Sequence, residues 1–156
     1  MHCQYFAFQN SMQISNPNLE IVSFEWENFG LVSNGSGWLG LVNAVGSVVL
    51  TAIGRVLLDE IRETDLAVRY GGDEFVVLLP HASLKEATAF AERVLAHIRR
   101  IRPAGLEVGV SIGVASLMVG DSENLEVVLK HSDTAAYTAK RRGGNQVAIH
   151  GEVATS

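Results

Sequence analysis

Cysteine is almost absent from this sequence of 156 residues. The one cysteine, Cys3, excludes an internal disulfide and a metal site built from several cysteines. Positive charge is also scarce, since 12 lysines and arginines stand against 17 acidic residues, for a net charge of −5. This balance argues against a protein that binds the phosphate backbone of nucleic acids through a basic face. The N-terminus lacks the basic and then apolar pattern of a secretory signal, so none is expected.

Charged residues are missing altogether from residues 28–54, and the stretch "LGLVNAVGSVVLTAIG" within that span is strongly apolar. Read alone, this stretch is a candidate for a membrane span. Polar residues such as Asn34, Asn43 and Ser47 interrupt the span, and its second half continues one helical period into "RVLLDEIRETD". We therefore favour a loop followed by a buried helix over a membrane span.

The overall composition, with 47% hydrophobic and 19% charged residues, is that of a folded domain with a substantial core. At this length one domain is expected. The pattern predicts an irregular segment over 1–18, the folded domain over 19–150 and a short tail over 151–156. The sequence contains neither internal repeats nor low-complexity tracts.

Hydrophobic periodicity and turn residues predict the order of the secondary-structure elements. Strands are predicted over 19–26, 66–70, 73–80, 106–116 and 146–150, and helices over 46–62, 83–101 and 123–142. Gly71 and Gly72 are expected to form a hairpin turn between the second and third strands. The order β-α-β-β-α-β-α-β predicts an α/β (α+β) fold with a mixed sheet flanked by helices, close to a ferredoxin-like or palm arrangement.

Three of these elements carry more specific expectations. Ser83 and Glu86 have the spacing of a capping box at the start of the second helix. The residues that we expect to face the core from the first two helices are Val49, Ile53, Val56, Leu57, Ile61, Leu84, Ala87, Phe90, Ala91, Val94, Leu95 and Ile98. In the fourth strand, alternation in period two places one apolar face inward, made of Leu106, Val108, Val110, Ile112 and Val114.

Four short motifs follow one another along the chain. They are "RETD" at 62–65, "RYGGDEF" at 69–75, "VSIGVA" at 110–115 and "SDTAAYTAKRRGGN" at 132–145. Together they resemble the GGDEF domain, the diguanylate cyclase family, in which the last motif reads A-D-x-A-L-Y-x-A-K-x-x-G-R-N. The resemblance runs from about Leu19 to the end of the chain.

The resemblance implies a palm-like sheet similar to that of nucleotide cyclases, and the joining of two GTP molecules into cyclic di-GMP. Each protomer of a homodimer would hold one GTP at the interface. Asp73 and Glu74 would be the catalytic residues and, together with Glu25, would hold two Mg²⁺ ions, a role that suits hard oxygen ligands. The two ions would activate the 3′-hydroxyl and neutralise charge on the α-phosphate.

Further binding residues follow from the same resemblance. Gly71 and Gly72 would let the backbone approach the nucleotide with no Cβ in the way, and Lys140 would meet the triphosphate. By the same resemblance, the product, cyclic di-GMP, would bind at an inhibitory site. Arginine side chains suit such a site, since they bind phosphate bidentately. The residues of that inhibitory site would be Arg62, Asp65 and Arg93.

The sequence departs from the family pattern around the nucleotide site. Glu25 stands where the family has a metal-binding aspartate, and its side chain is longer by one C–C bond, about 1.5 Å. Ser33 stands at the position of a guanine-reading asparagine, with Asn34 next to it, and Ser47 in "VNAVGS" stands where an aspartate opens the following helix. Two lost hydrogen bonds to guanine would weaken GTP binding by roughly 10² to 10⁴-fold.

The end of the last helix departs from the pattern as well. Gly144 replaces an arginine that contacts phosphate in the family, so Arg141 or Arg142 would have to compensate. The same two arginines are also explained as the cationic last turn of a helix. The positions of the inhibitory site, in contrast, are all filled.

Three functions stay open from the sequence. The first is a diguanylate cyclase with weak activity, which the intact Asp73 and Glu74 favour. The second is a binding module that senses cyclic di-GMP at the inhibitory site, which the substitutions at the nucleotide site favour. The third is a structural or regulatory part that binds neither ligand.

The expected partners follow from the same resemblance. They are GTP, cyclic di-GMP, a second copy of the chain, and a sensor or effector domain of a longer parent protein. No nucleic acid partner is expected from the charge. We expect the domain in the cytoplasm, on a parent protein that is either free or attached to a membrane.

Two other patterns are weaker. The glycines of residues 35–40 spell G-x-G-x-x-G after a strand, as in dinucleotide-binding folds. No second βαβ unit follows them, so an unusual loop is the better interpretation. Four histidines share no spacing typical of a metal site, and we expect all of them at the surface: His81, His97, His131 and His150.

Overall fold

The structure, a computed structural model, describes residues 19–27, 39–117 and 125–152. The strands of this part are β1 (Leu19–Glu27), β2 (Leu66–Arg69), β3 (Glu74–Pro80), β4 (Gly109–Ser116) and β5 (Val147–Ile149). Its α-helices are α1 (Leu39–Glu60), α2 (Leu84–Arg100) and α3 (Leu125–Arg141), and a 3₁₀ turn, Pro103–Gly105, follows α2. The predicted order of strands and helices is confirmed. The predicted irregular segment over 1–18 lies outside the described residues.

The strands form one sheet in the order β2-β3-β1-β4-β5. β1 lies at the centre, antiparallel to both β3 and β4, while β5 pairs with β4 in parallel. The mixed sheet that the sequence predicts is therefore present. This arrangement brings the end of β1 and the start of β3 together at one end of the strands, where Glu25 pairs with Glu74 in the strand register.

Helices cover both faces of the sheet. On one face, α1 and α2 pack against β1, β3 and β4 and form the larger core, around Phe24, Ile53 and Leu95. On the other face, α3 closes a smaller cluster around Ile21 and Val128. The residues of α1 and α2 that were predicted to face inward are buried with two exceptions: Leu84 is 38% exposed, so that prediction is wrong, and Ile61 is only partly buried.

Strand β4 differs from the prediction because it is buried on both of its faces. The apolar face contacts α2, as expected, whereas the other face consists of Gly109, Ser111, Gly113 and Ala115. These small side chains allow α3 to lie directly on the strand. Since β4 begins at Gly109, Leu106 precedes the strand and is 36% exposed, contrary to the prediction.

Gly113 is a point of very close approach between the sheet and α3. A Cβ at this position would lie 2.0 Å from the carbonyl oxygen of Ser132 and 2.3 Å from the backbone nitrogen of Ala136. One turn of α3 is fixed further by a buried hydrogen bond of 2.6 Å between the hydroxyls of Ser23 on β1 and Ser132. Helix α3 is therefore held against the two central strands by backbone contact and by one polar pair.

The start of α2 confirms the capping-box prediction. The backbone N–H of Glu86 donates to the Ser83 hydroxyl at 3.3 Å, and the backbone N–H of Ser83 donates to the Glu86 carboxylate at 2.8 Å. Both interactions satisfy N–H groups that a helix start would otherwise leave unpaired. This cap places Glu86 and the first turns of α2 beside the end of α1.

Helix α1 begins earlier than the sequence predicts, at Leu39 rather than near residue 46. The match of "VNAVGS" to the segment that opens this helix in the family is therefore wrong, since residues 42–47 are helical and Ser47 lies inside the helix rather than at its start. The remainder of the predicted loop, up to residue 38, lies outside the described residues. Within the described part of the chain, no helix combines the length and hydropathy that crossing a bilayer requires.

The contact at Gly113 predicts the effect of adding one methyl group. Because the clash is with backbone atoms of α3, Gly113→Ala should lower the free energy of unfolding by at least about 3 kcal/mol. Gly54→Ala is the matched control, since its Cβ would meet only a ring atom of Phe75 at 3.8 Å and alanine favours the helix by about 1 kcal/mol. Urea unfolding of both variants measures the difference. Equal stability of the two variants would contradict this account of α3 packing.

Candidate functional site

A cleft of about 210 Å³ lies where the end of β1 and the start of β3 meet α3. Its acidic side chains are Glu25 from β1, Glu74 from β3 and Asp133 from α3, and two tyrosines, Tyr70 and Tyr137, line it as well. We call this feature the carboxylate cleft. It gathers side chains from three elements that are distant in sequence.

The acidic pair in the cleft follows from strand register. Glu25 and Glu74 are directly opposite each other in the antiparallel β1–β3 pair, so both side chains extend from the same face of the sheet. Like charges in this position destabilise a sheet. The ammonium group of Lys140 lies 2.6 Å from Oε1 of Glu25 and offsets part of that repulsion. The cleft is thus a site where a further cation would be stabilised.

The electrostatics of the cleft act most visibly on Glu74. Partial burial raises the pKa of the Glu74 carboxyl, and the negative charges of Asp133, Asp73 and Glu25 raise it further. The positive charge of Lys140 opposes this shift without cancelling it. The raised pKa means that the folded chain holds the ionised form of Glu74 less readily than water does.

Helix α3 brings its polar residues to the cleft on one face. Asp133, Tyr137 and Lys140 are spaced four and then three residues apart, which aligns them along the helix. Asp133 was not among the residues predicted for the site. The sequence could have indicated Asp133, because it lies two helical turns before Lys140 and therefore on the same face of the helix.

The connection between β2 and β3 covers residues 70–73 and is longer than the predicted two-residue turn. The backbone N–H groups of Tyr70 and Gly71 both donate to the carbonyl of Glu74, at 2.9 and 3.3 Å. The guanidinium of Arg69 donates to the carbonyl of Gly72. These bonds close the connection tightly at the mouth of the cleft.

The two glycines of this connection have different roles. A Cβ at Gly71 would lie 2.6 Å from Oε2 of Glu74, whereas a Cβ at Gly72 would meet nothing within 4 Å. Neither glycine has a positive φ, so the backbone conformation by itself does not require glycine at either position. Gly71 leaves room for the Glu74 carboxylate in its present position.

Several predicted site residues lie outside the lining of the cleft. Asp73 is exposed in the connection and acts on the cleft through its charge on Glu74. Ser47 lies in α1, where its backbone carbonyl accepts a hydrogen bond from Thr51 at 2.7 Å, and Arg141 is exposed in the last turn of α3. The predicted guanine-reading positions, Ser33 and Asn34, fall outside the described residues.

A second surface forms where the end of α1 meets α2, and it unites the residues predicted for the inhibitory site. We call it the arginine groove; its polar and aromatic lining consists of Glu60, Arg62, Asp65, Glu86, Phe90 and Arg93. The "RETD" turn is closed by the backbone N–H of Arg62, which donates to the Asp65 carboxylate at 2.8 Å. The aspartate therefore fixes the turn from which Arg62 extends.

Two histidines interact in a way that the sequence did not indicate. The rings of His131 on α3 and His150 after β5 are stacked, with centroids 3.9 Å apart and planes 7° from parallel. Burial lowers the pKa of His150, and the nearby His131 lowers it further. A third histidine, His97, faces the carboxylate of Glu60 at 3.2 Å.

Comparison with known proteins decides the family. A sequence model of the family described as "Diguanylate cyclase, GGDEF domain" matches residues 21–146. This chain belongs to the GGDEF family. The match contains both the carboxylate cleft and the arginine groove.

Relatives of this GGDEF domain agree with that assignment. Response regulator PleD of Caulobacter vibrioides is 37% identical over 113 residues, which cover 66% of this chain and 24% of PleD. The GGDEF domain of PA1120 (YfiN or TpbB) from Pseudomonas aeruginosa is 27% identical, with a TM-score of 0.75 over 88% of this chain and 84% of that one.

A further solved structure, the GGDEF domain of DgcB from Caulobacter crescentus in complex with c-di-GMP, has a TM-score of 0.70. At 19% identity over 86% of this chain and 79% of that one, it shows the shared fold alone. The nucleotide-cyclase-like α/β fold that the sequence predicts is thus confirmed. This GGDEF domain spans about a quarter of the length of the curated relatives that it matches.

The carboxylates of the cleft provide part of the oxygen coordination that a magnesium ion needs. Among the described residues, no three His, Cys, Asp or Glu side chains form a group that would hold a metal ion by themselves. A magnesium ion that is bound together with a nucleotide keeps several waters, and it uses one or two carboxylates plus phosphate oxygens. Glu25 and Glu74 supply that number of oxygen-bearing side chains at neighbouring positions, so the donor set fits a nucleotide-bound Mg²⁺.

The raised pKa of Glu74 predicts how one substitution changes stability with pH. Because the pKa of Glu74 is higher in the folded chain than its ordinary value of 4.5, protonated Glu74 stabilises the fold. This contribution is fully present below pH 4.5 and is lost as the pH rises through the pKa of the folded chain. Glu74→Gln cannot ionise, so at pH 7 this variant should be more stable than the parent chain, by less than about 1 kcal/mol because the site is open to solvent. The difference should disappear near pH 4.

Urea unfolding of both proteins at pH 7 and pH 4 measures this effect. Glu63→Gln, which removes an exposed carboxylate from the "RETD" turn, serves as the control and should show no such gain. A Glu74→Gln variant that is less stable than the parent at pH 7 would show that the carboxylate is not repelled in the cleft.

Proposed function

We propose that this GGDEF domain, residues 19–150, is a diguanylate cyclase of low turnover that joins two GTP molecules into cyclic di-GMP. The observation that carries the proposal is the pairing of Glu25 and Glu74 across β1 and β3, beside Lys140. This combination of two carboxylates and one ammonium group in a single cleft suits a nucleotide triphosphate that is bound with a cation.

The residues that would hold Mg²⁺ are Glu25, Asp73 and Glu74, with two ions per site. When bound, the ions would supply charge neutralisation at the α-phosphate and activation of the 3′-hydroxyl. Lys140, now in contact with Glu25, would donate to the triphosphate as a mobile point charge. Because Gly71 has no side chain, the Glu74 carboxylate can occupy its present position.

The size of the cleft supports catalysis by a homodimer. Its volume of about 210 Å³ is below the range of roughly 300 to 1,000 Å³ that is typical of ligand pockets, which favours one nucleotide per protomer over two. Joining two GTP molecules would then require two copies of the chain with their clefts facing each other.

Low turnover is proposed because several determinants of the nucleotide site are altered. Glu25 is longer than the aspartate of the family pattern, and Gly144 lacks the side chain of the arginine. Ser47, which stands where the family has an aspartate, lies within α1 rather than at a helix start. A displacement of about 1 Å in a catalytic group lowers the rate by roughly a hundredfold.

Replacing each glycine of the β2–β3 connection tests the cyclase proposal. In Gly71→Ala, Oε2 of Glu74 must retreat from 2.6 Å to an ordinary contact distance beyond 3.4 Å, so turnover of Mg²⁺–GTP should fall roughly tenfold to a hundredfold. Gly72→Ala has open space for its Cβ and should stay within about twofold of the parent chain.

Chromatography of the nucleotides formed from GTP measures both variants, and urea unfolding confirms that both are folded. Absence of any cyclic di-GMP from the parent chain would contradict the cyclase proposal. Equal losses in the two variants would contradict the role assigned to Gly71.

The arginine groove favours a second function, binding of cyclic di-GMP as a sensor or as an inhibitory product. The observation is that Arg62, Asp65 and Arg93, predicted from separate parts of the sequence, line one groove. Two guanidinium groups and a carboxylate are the groups that recognise phosphates and the N–H edge of guanine. The DgcB domain, which shares the fold, was solved with c-di-GMP.

Calorimetric titration with cyclic di-GMP tests the second function. Arg62→Ala should weaken binding by roughly tenfold to a hundredfold, since hydrogen bonds to charged groups contribute about 1.5 to 3 kcal/mol. Arg100→Ala, which removes an equal charge from an exposed position at the end of α2, should leave binding unchanged. Equal effects of the two substitutions would indicate nonspecific attraction, and the groove would not be the binding site.

The setting of the domain is proposed on the same basis. Since its relatives are about four times longer than the matched region, we infer a parent protein that carries a sensor or effector domain. From the proposed use of GTP we infer that the reaction takes place in the cytoplasm, with the parent protein free or attached to a membrane.

A further inference from the structure

The two arginines of the arginine groove are held in different ways. Nε of Arg93 donates to Oε2 of Glu60 at 3.2 Å, and Oε1 of Glu60 faces Nδ1 of His97 at 3.2 Å. Within the described residues, the one ion partner of Arg62 is distant, Oε1 of Glu86 at 4.0 Å. Arg93 is therefore engaged by a carboxylate of the same chain, while Arg62 extends from its turn with little restraint.

The two acidic partners also differ in their other roles. Oε2 of Glu86 accepts hydrogen bonds from the backbone and the hydroxyl of Ser83, both at 2.8 Å, so this residue is part of the cap of α2. The carboxylate of Glu60 bonds to the side chains of Arg93 and His97. Burial by itself would raise the pKa of Glu60, but these two partners outweigh it and lower the pKa, so Glu60 is ionised at neutral pH.

Arg93 keeps its position without depending on Glu60 alone. Its guanidinium carbon lies 5.7 Å from the ring centroid of Phe90, one turn earlier on α2, and Phe90 is 3% exposed. A cation over the face of a buried ring is held there by the ring quadrupole. The side chain of Glu60 is 23% exposed and that of Arg93 is 56% exposed, so a ligand from solvent can reach the pair.

We propose that Glu60 is an internal competitor in the arginine groove: a phosphodiester that binds the Nε side of the Arg93 guanidinium must displace the Glu60 carboxylate. This inference rests on the proposed binding of cyclic di-GMP to the groove. Glu60 therefore lowers the affinity of the groove for phosphodiesters.

The size of the effect follows from the exposure of the pair. An ion pair that is open to solvent contributes up to about 1 kcal/mol, which corresponds to roughly fivefold in a binding constant. Glu60→Gln keeps the shape of the side chain and removes its charge. We expect this variant to bind cyclic di-GMP roughly three- to fivefold more tightly than the parent chain.

The control is Glu92→Gln, which removes an equal charge from an exposed position on α2 next to Arg93 in sequence. It should change the affinity by less than about 1.5-fold if contact with Arg93, rather than net charge, is what matters. A further pair of variants isolates the mechanism. In an Arg93→Ala background, Glu60→Gln should have no effect on affinity, because the group for which Glu60 competes is gone.

Calorimetry with cyclic di-GMP on the four proteins and the parent chain gives distinct outcomes. Tighter binding by Glu60→Gln that vanishes in the Arg93→Ala background supports the proposal. Unchanged or weaker binding by Glu60→Gln, or an equal gain in Glu92→Gln, overturns it while leaving the proposed binding function in place. Absence of binding in every protein overturns the binding function itself, and with it this inference.

Discussion

The contact between Gly113 and the backbone of α3 is the constraint on which the rest of the structure depends. With no side chain at this position, the carbonyl of Ser132 and the amide of Ala136 lie where a Cβ would be. The helix can therefore rest on β4 and on β1, where the Ser23–Ser132 hydrogen bond fixes it. Every contribution of α3 to the carboxylate cleft follows from this close approach.

The cleft shows what that geometry implies for charge. Strand register places Glu25 opposite Glu74, and α3 adds Asp133, so three carboxylates surround one small volume with Lys140 as the nearby cation. Such an arrangement lowers stability, as the raised pKa of Glu74 indicates. Functional sites commonly keep groups whose pKa is shifted in this way, and a cation bound with a nucleotide would relieve the repulsion. In the arginine groove, by contrast, Glu60 already pairs with Arg93 and His97, while Arg62 lies 4.0 Å from Glu86.

Local signals in the sequence were the most reliable. The cap formed by Ser83 and Glu86 was predicted because both partners lie within four residues of each other, and the apolar face of α2 follows from helical period alone apart from Leu84. The predicted start of α1 was wrong because the first turns of this helix lack the charged or capping residues that mark a helix start in the sequence. Double burial of β4 was missed because small residues in a strand look alike whether they face solvent or a helix.

The sequence by itself determined the order of the elements, the cap of α2 and the carriers of charge, because these depend on neighbours along the chain and on residue type. It also placed Arg62, Asp65 and Arg93 among the candidate residues. Only the tertiary structure decided that Gly71 rather than Gly72 makes room for Glu74, that Asp133 lines the cleft, and that Glu60 holds Arg93. Each of these depends on strand register or helix packing, which joins residues that are distant in sequence.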